Sequence, residues 1–108
     1  MKKKIFELLN GFGVPFAVKG REYIESAIGI LTSEGKIQIT KELYPRIAKE
    51  HGTTAQKAER AIRHALSASN KDKIKNLFGK EKISNSEFLC GMAKYIEIYV
   101  EETQDETN

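Results

Sequence analysis

Apolar residues recur along this chain at the three- and four-residue spacing of amphipathic helices. The pattern predicts six helices in all. The first covers Lys3–Asn10, and Asn10-Gly11 and the following Gly13-Val14-Pro15 mark a turn. The second runs from Arg21 to about Ser33, and Gly35 fits its C-terminal end.

The region between this second helix and His51 is less regular. Lys36–Ile39 alternates like a strand but is too short and has no partner, so it is interpreted as an extended connector. A third helix is predicted to begin at Thr40 or soon after and to run to about Glu50. Its start depends on Pro45, because proline is tolerated only near a first helical turn.

The segment Thr53–Ser69 has the pattern around which the rest of the chain is organised. It is rich in alanine and free of glycine and proline, which favours a helix. Thr53 and Gln56 have the spacing of a capping box, in which the threonine caps the helix and the glutamine reaches back to its N–H. One face is apolar and built largely from small side chains, which let another helix approach closely: Ala55, Ala58, Ala61, Ile62, Ala65 and Leu66.

The opposite face of this helix is polar and basic. Lys57, Arg60 and His64 follow at i, i+3 and i+7 and are expected to point outward together. Their neighbours on the flanks are also polar: Gln56, Glu59 and Arg63.

Two further helices complete the pattern. Asn70 is expected to end the long helix in a left-handed turn, and a short helix over Asp72–Phe78 is closed by Gly79. Ser84 and Glu87 form a second capping-box pattern, which starts the last helix.

Charge is distributed unevenly along the 108 residues. The formal net charge is only +3, but five of the 15 acidic residues lie in the last twelve positions. Residues 1–96 therefore carry 18 basic and 10 acidic residues, a net charge of +8. A basic body suits a polyanionic partner, although a lysine-rich surface also serves solubility, and charge alone leaves both interpretations open.

Composition excludes several classes of protein. The one cysteine, Cys90, cannot form an internal disulfide, and it is interpreted as a packed apolar residue. No apolar run approaches the ~20 residues that a membrane span needs, and the N-terminus lacks the apolar region of a signal peptide. A cytoplasmic protein without a membrane partner is expected.

The segment Tyr44–Arg63 fits a helix-turn-helix. Small residues at Ala48 and Ala58 let the two helices approach, and Gly52 lies in the turn between them. With the basic outward face, these matches favour a DNA-binding helix-turn-helix over an ordinary helical pair. The predicted fold is all-α, with about six helices around this motif, as a single domain over 1–102 followed by an acidic flexible tail over 103–108.

Candidate base contacts follow from groove geometry. Arg60 has a planar fork that can bond guanine O6 and N7 together, and Gln56 and Lys57 lie in the first turn, which usually approaches base edges. Glu59 can accept a hydrogen bond from cytosine N4 or pair with Arg63 four residues on, and the sequence favours neither.

Candidate phosphate contacts lie at the two ends of the helix. Arg63 and His64 are further along and are expected to meet phosphate, and Thr53 and Thr54 offer hydroxyls and helix-N-terminal amides. Lysines in the next segment, Lys73 or Lys75, are additional candidates.

The pattern offers no catalytic site, metal site or cofactor. Neither histidine has an evident serine or cysteine partner in the sequence, and His51, His64 and Cys90 lack metal-ligand spacing. No glycine-rich phosphate loop occurs, and the four tyrosines are interpreted as core or interface residues.

At these residues the sequence resembles a known family, the C-terminal DNA-binding domain of the stage-zero sporulation regulator A of endospore-forming bacteria. The similarity spans about residues 12–97. It is carried by these segments: Gly13-Val14-Pro15 with Lys19-Gly20, Leu43-Tyr44-Pro45 with Ile47-Ala48-Lys49, Thr53-Thr54-Ala55, Glu59-Arg60-Ala61-Ile62-Arg63-His64-Ala65, Leu77-Phe78-Gly79 and Asn85-Ser86-Glu87-Phe88.

The resemblance implies sequence-specific binding of promoter boxes as a homodimer, with activation or repression of transcription. It places base contacts on Glu59 and Arg60 and further contacts on the other matched positions: Gln56, Lys57, Arg63 and His64. The family often has serine and arginine where this chain has Gln56 and Lys57, so a different preferred box is expected.

The family also has features that lie outside or depart from this chain. The resemblance implies that Ser69–Gly79 touches the RNA polymerase sigma subunit, but the connector Gly79–Asn85 looks shorter than the family's. Family members usually carry a receiver domain, for which 108 residues leave no room, so the chain is an excised fragment or a free-standing homologue. The start at Met1 and the acidic tail favour a free-standing protein. The alternative to a DNA-binding regulator is a protein-interaction module that lacks DNA readout. Such a module would modulate a full-length regulator through the last helix.

Overall fold

The computed structural model describes the backbone of residues 2–35 and 37–107 and the side chains of residues 2–35 and 37–99. Within these residues the fold is all-α, as predicted, and contains no strand. The helices are α1 (Lys2–Gly11), α2 (Lys19–Glu34), α3 (Tyr44–His51), α4 (Ala55–Ser67), α5 (Lys71–Phe78) and α6 (Asn85–Thr107).

Glycine ends three of the helices, as the sequence predicts. Gly52 follows α3 with φ 66° and ψ 40°, a left-handed conformation that costs glycine little and lets the chain reverse towards α4. Gly35 and Gly79 have φ of 76° and 66° after α2 and α5. The expectation that Asn70 adopts the same conformation is wrong, because Asn70 has φ −76° and instead caps the start of α5 with its side chain.

The segment before α3 is a π-helical turn over Ile39–Leu43. The carbonyl of Gln38 accepts hydrogen bonds from the N–H groups of Glu42 and Leu43 at 2.9 and 3.0 Å. This turn runs directly into α3, since the Tyr44 N–H donates to the carbonyl of Ile39. Pro45 lies in the first turn of α3, where its missing N–H is tolerated. The predicted third helix therefore begins with a π-helical turn. Of the predicted extended connector, Lys36 lies outside the described residues and Ile39 belongs to the π-helical turn.

Helix α2 lies at the centre of the domain and packs against α1, α3, α4 and α6. It approaches α4 closely at Gly20, where a Cβ atom would stand 2.0 Å from the carbonyl oxygen of Ala61 and 2.8 Å from the Cβ of Ala65. The small residues of α4 therefore allow a close approach, as the sequence suggested, and their partner is Gly20 of α2. Fully buried side chains complete the core around this contact: Leu9, Ile24, Ile28, Leu43, Ile47, Ile62, Phe88, Leu89, Met92 and Ile96.

One charged residue, Arg21, is buried in this core with 1% of its surface exposed. Its guanidinium donates hydrogen bonds to the carbonyls of Val14 and Phe6 at 2.9 and 3.1 Å, and to the carboxylate of Glu25 at 2.9 Å. Buried charges are tolerated only when paired in this way. Arg21 thereby ties the loop before α2 to α1 and α2, a contact that no local pattern indicates.

The interpretation of Cys90 as a packed residue is wrong. Cys90 is exposed, and partial burial of its thiol raises the pKa above the ordinary value. Tyr23 and Tyr44 are buried in the core, whereas Tyr95 is 43% exposed.

Helix α6 begins with the predicted capping box. The Ser84 hydroxyl accepts from the Glu87 N–H at 3.1 Å, and the Glu87 carboxylate accepts from the Ser84 N–H at 3.2 Å. The backbone of α6 runs to Thr107. The predicted acidic flexible tail over 103–108 lies outside the residues whose side chains are described, so it stays a prediction.

Candidate DNA-binding surface

Helices α3 and α4 form the predicted helix-turn-helix, joined by Gly52–Thr54. Ile47 and Ala48 of α3 are buried, as are Ala58, Ile62 and Ala65 of α4, so the apolar sides of both helices face the core. Because α4 is fixed on this side by packing, its opposite side is held towards solvent in a defined orientation.

The start of α4 differs from the sequence prediction. Thr54, not Thr53, is the cap, and its hydroxyl oxygen accepts from the Lys57 N–H at 3.2 Å. Thr53 lies in the turn, and its N–H donates to the carbonyl of Ala48 at 2.9 Å, so this amide is not free for a phosphate. The expected capping contact from Gln56 is therefore absent, and the Gln56 side chain is exposed.

The outward face of α4 carries the predicted donors. Lys57, Arg60 and His64 are exposed, and within the described residues their side chains form no hydrogen bond or ion pair. The structure thus brings three of the predicted contact residues, with Gln56 beside them, onto one accessible surface.

Glu59 and Arg63 are paired along one side of this surface. The carboxylate of Glu59 accepts from Arg63 Nε at 3.2 Å and from Arg63 Nη2 through both of its oxygens. This hydrogen bond raises the pKa of Arg63. The intrahelical pair that the sequence left open is therefore present, and the Arg63 side chain is 66% exposed against 30% for Glu59.

A third residue at this pair was missed by sequence reasoning. Asn85, the first residue of α6, donates from Nδ2 to the backbone carbonyl of Glu59 at 3.3 Å and to its carboxylate Oε1 at 3.5 Å. Burial raises the pKa of Tyr44 beside them, against an opposing hydrogen bond with Asn85. Asn85 is 26 residues from Glu59, so no helical spacing could have indicated the contact.

A second group of cations lies beside the C-terminal half of α4. This group lines a cleft whose apolar residues include Leu66, and its cations are Arg63, Lys71, Lys75 and Lys82. Lys75 pairs with Glu81 at 3.0 Å, with both groups at the surface.

Lys73 faces the other way along α5. Its Nζ donates to the carbonyl of Gly11 at the end of α1, at 3.3 Å. The two lysines that the sequence treated as equivalent phosphate candidates are therefore on different sides of α5, and Lys75 is on the side that shares a cleft with Arg63 of α4.

Histidine His51 has a serine partner that the sequence did not reveal. Its Nε2 lies 2.8 Å from the Ser26 hydroxyl, and its ring packs against that of Tyr23 with centroids 4.9 Å apart and an angle of 56° between the ring planes. The contact holds the end of α3 against α2.

Over the side chains described, no group of three His, Cys, Asp or Glu residues is placed to hold a metal ion. No described helix is long and apolar enough to cross a membrane.

A comparison with known families identifies a matching family model. The family model described as the C-terminal domain of the sporulation initiation factor Spo0A matches residues 5–96. The matched range includes all of α2 to α5 and therefore the whole helix-turn-helix.

Proposed function

The chain belongs to the family of the sporulation initiation factor Spo0A C-terminal domain, and from this premise we propose that it binds a specific double-stranded DNA sequence with α4 in the major groove. Membership itself supports a DNA-binding domain of a sporulation regulator, in a family of transcription factors rather than enzymes. The proposed regulatory targets are sporulation-type genes, and the proposed location is the cytoplasm.

The observation that carries the proposal is the outward face of α4. Gln56, Lys57, Arg60 and His64 are exposed together on a helix whose other face is fixed by Ala58 and its buried neighbours. A helix held in this way can enter a groove about 12 Å wide without rearranging. Groups already free of internal partners also lose no contact when they bind bases or phosphates.

Roles can be proposed for the individual side chains. Arg60 is the main base contact, because its fork matches the O6 and N7 acceptors of guanine. Gln56 and Lys57 in the first turn are further base contacts, and Glu59 accepts from cytosine N4. Arg63, His64, Thr53 and Thr54 are proposed phosphate contacts, with Thr53 acting through its hydroxyl because its amide is already bonded. Thr54 can still donate its hydroxyl proton while its oxygen caps α4.

The test is selection of bound duplexes from a random pool at a stated salt concentration, because affinity for DNA depends strongly on salt. We expect enrichment of a defined box by the wild-type chain. Failure to enrich any box would refute sequence-specific binding.

Arg60 provides the sharpest single substitution. Arg60→Ala should cost about 1–3 kcal/mol of binding free energy and relax preference at one base pair. Arg60→Lys is the matched control, because it keeps the charge but loses the fork. It should recover part of the affinity without recovering the preference at that base pair. Equal preference in the wild type and both variants would contradict the assigned contact.

Partners beyond DNA follow from the family resemblance and are proposed with it. A homodimer on DNA predicts a complex of two chains per selected box, measurable by the mass of the purified complex. Contact with the RNA polymerase sigma subunit through Ser69–Gly79 is supported by Leu77, which is 43% exposed on α5. Leu77→Ala should then reduce activated transcription in vitro without changing affinity for the box.

The alternative is a protein-interaction module without DNA readout. The observation in its favour is the exposed apolar pair Tyr95 and Ile98 on α6. It predicts that the pool selection fails while the chain forms a complex with a full-length regulator, and that Ile98→Asp abolishes this complex. An enriched box that depends on Arg60 would exclude it.

A further inference from the structure

The carboxylate of Glu59 is held by two different helices. Arg63 approaches it from the next turn of α4, and Asn85 approaches it from the first turn of α6. Both partners donate, so the carboxylate is positioned entirely as an acceptor.

The position of the Glu59 carboxylate matters because the side chain is flexible and negatively charged. A glutamate side chain has several rotatable bonds, and a free one loses conformational entropy when it is fixed against a base edge. Its negative charge would also be repelled by the phosphates of bound DNA. Arg63 offsets the charge and Asn85 restricts the rotation, while the carboxylate, with about four lone-pair sites, retains capacity for one more donor. Glu59 is still 30% exposed with both contacts made.

The side chain of Asn85 is not needed to start α6. Ser84 and Glu87 already satisfy the cap through their reciprocal hydrogen bonds. The backbone carbonyl of Glu59 lies inside α4, where it has the N–H of Arg63 as its helical partner. The Asn85 amide is therefore a second donor to two acceptor groups of Glu59, each of which keeps Arg63 as a partner without it. Asn85 also shares a hydrogen bond with the side chain of Tyr44 in α3.

We propose that Asn85 is a positioning residue for DNA recognition, which acts by fixing the Glu59 carboxylate towards the base that Glu59 contacts. The inference rests on the proposed function and extends the recognition surface to a residue of α6. It makes the start of α6 part of the specificity of α4, although Asn85 itself need not touch DNA.

The alternative role for Asn85 is purely structural, as a link between α4 and α6. A link would affect binding to all sequences equally, through the stability or placement of α4. A positioning residue affects preference at one base pair, and only while Glu59 is present. These outcomes differ in a single set of measurements.

The experiment measures the affinity of wild type and variants for every single base-pair substitution of the selected box. Asn85→Ala should reduce preference about threefold to tenfold at the base pair that Glu59→Ala also affects, and leave the other positions within about twofold. Asn85→Asp keeps the size but replaces the donor by a like charge, so it should reduce this preference further. Ser86→Ala, one residue along, is the matched control and should leave the profile unchanged.

The double variant decides whether Asn85 acts through Glu59. In the Glu59→Ala background, Asn85→Ala should have no further effect on base preference. An additional loss there, or an equal loss for all sequences, would overturn the inference, as would an unchanged profile for both Asn85 variants. If the wild type selects no box, the proposed function falls together with the inference. If it selects a box that Arg60→Ala disrupts while the Asn85 variants do not alter preference, only the inference falls.

Discussion

The contact between α2 and α4 at Gly20 gives the most direct test of how α4 is held. A Cβ atom at residue 20 would lie 2.0 Å from the carbonyl oxygen of Ala61 and 2.7 Å from its carbonyl carbon. Ordinary van der Waals contact begins near 3.4 Å, so Gly20→Ala requires α2 and α4 to separate by about 1 Å or more. The obstacle is helix backbone, which cannot rotate away as a side chain can.

The cost can be bounded from these distances. Overpacking a well-packed core costs about 1–3 kcal/mol, and a backbone obstacle places Gly20→Ala near the upper end. The higher helix propensity of alanine offsets less than the ~1 kcal/mol seen in helix interiors, because Gly20 lies in the first turn of α2. We expect a net loss of about 2–3 kcal/mol. This is a large part of the roughly 5–15 kcal/mol that stabilises a typical domain.

Urea unfolding of Gly20→Ala and Gly29→Ala provides the measurement and its control. Both changes are in α2, but a Cβ at residue 29 would meet nothing within 4 Å. Gly29→Ala should raise the free energy of unfolding by up to ~1 kcal/mol through helix propensity, and with it the urea midpoint. Gly20→Ala should lower both. A Gly20→Ala variant as stable as Gly29→Ala would refute the close packing of α2 on α4.

Gly91 tests the same reasoning with a softer obstacle. A Cβ there would stand 2.0 Å from the ring of Phe78, which can move because it is a side chain. Gly91→Ala should therefore cost less than Gly20→Ala in the same assay. The reverse order would show that movement of the Phe78 ring is itself strongly opposed.

Two further predictions concern charge. Lys75→Ala should weaken binding to all duplexes alike and reduce the slope of log K against log salt by about 0.9. Lys73→Ala is the control and should change neither quantity, because Lys73 faces α1. Equal slopes for both variants would contradict the placement of Lys75 near phosphate. The hydrogen bonds from Lys80 and the Ser84 N–H hold the pKa of Glu87 below its ordinary value, so its contribution to stability is present above the unfolded-state pKa of about 4.3 and is lost as pH falls through the folded-state pKa. Glu87→Gln should accordingly show a shallower loss of thermal stability on acidification than the wild type, and parallel profiles would contradict this.

Local features of the sequence determined much of the fold. Helical periodicity located every helix to within a few residues, because the apolar spacing reports directly which side of a helix is buried. The turn at Gly52 and the capping box of Ser84 and Glu87 were also predictable, since each depends on residues at most three positions apart. The sequence did not predict that Thr54 rather than Thr53 caps α4, because either threonine can supply the hydroxyl oxygen that a helix cap needs.

The candidate site was predictable in composition but not in its internal contacts. The alanine face of α4 implied a close neighbour, and with it the exposed position of Arg60 on the other side. The contact of Gly20 with Ala61 depended on how α2 packs against α4. The contact of Glu59 with Asn85 depended on the placement of α6 beside α4, whereas the pairing of Glu59 with Arg63 was one of the two options that helical spacing offered.

Only the tertiary structure decided the contacts between distant residues. Asn85 reaches Glu59 across 26 positions, and Lys73 reaches Gly11 across 62. Periodicity indicates which side of each helix is buried, but it does not indicate which other helix packs against that side. The sequence therefore specified a basic, outward-facing α4, and the packing of α2 and α6 beside it decided how this helix is fixed and which distant residue meets Glu59.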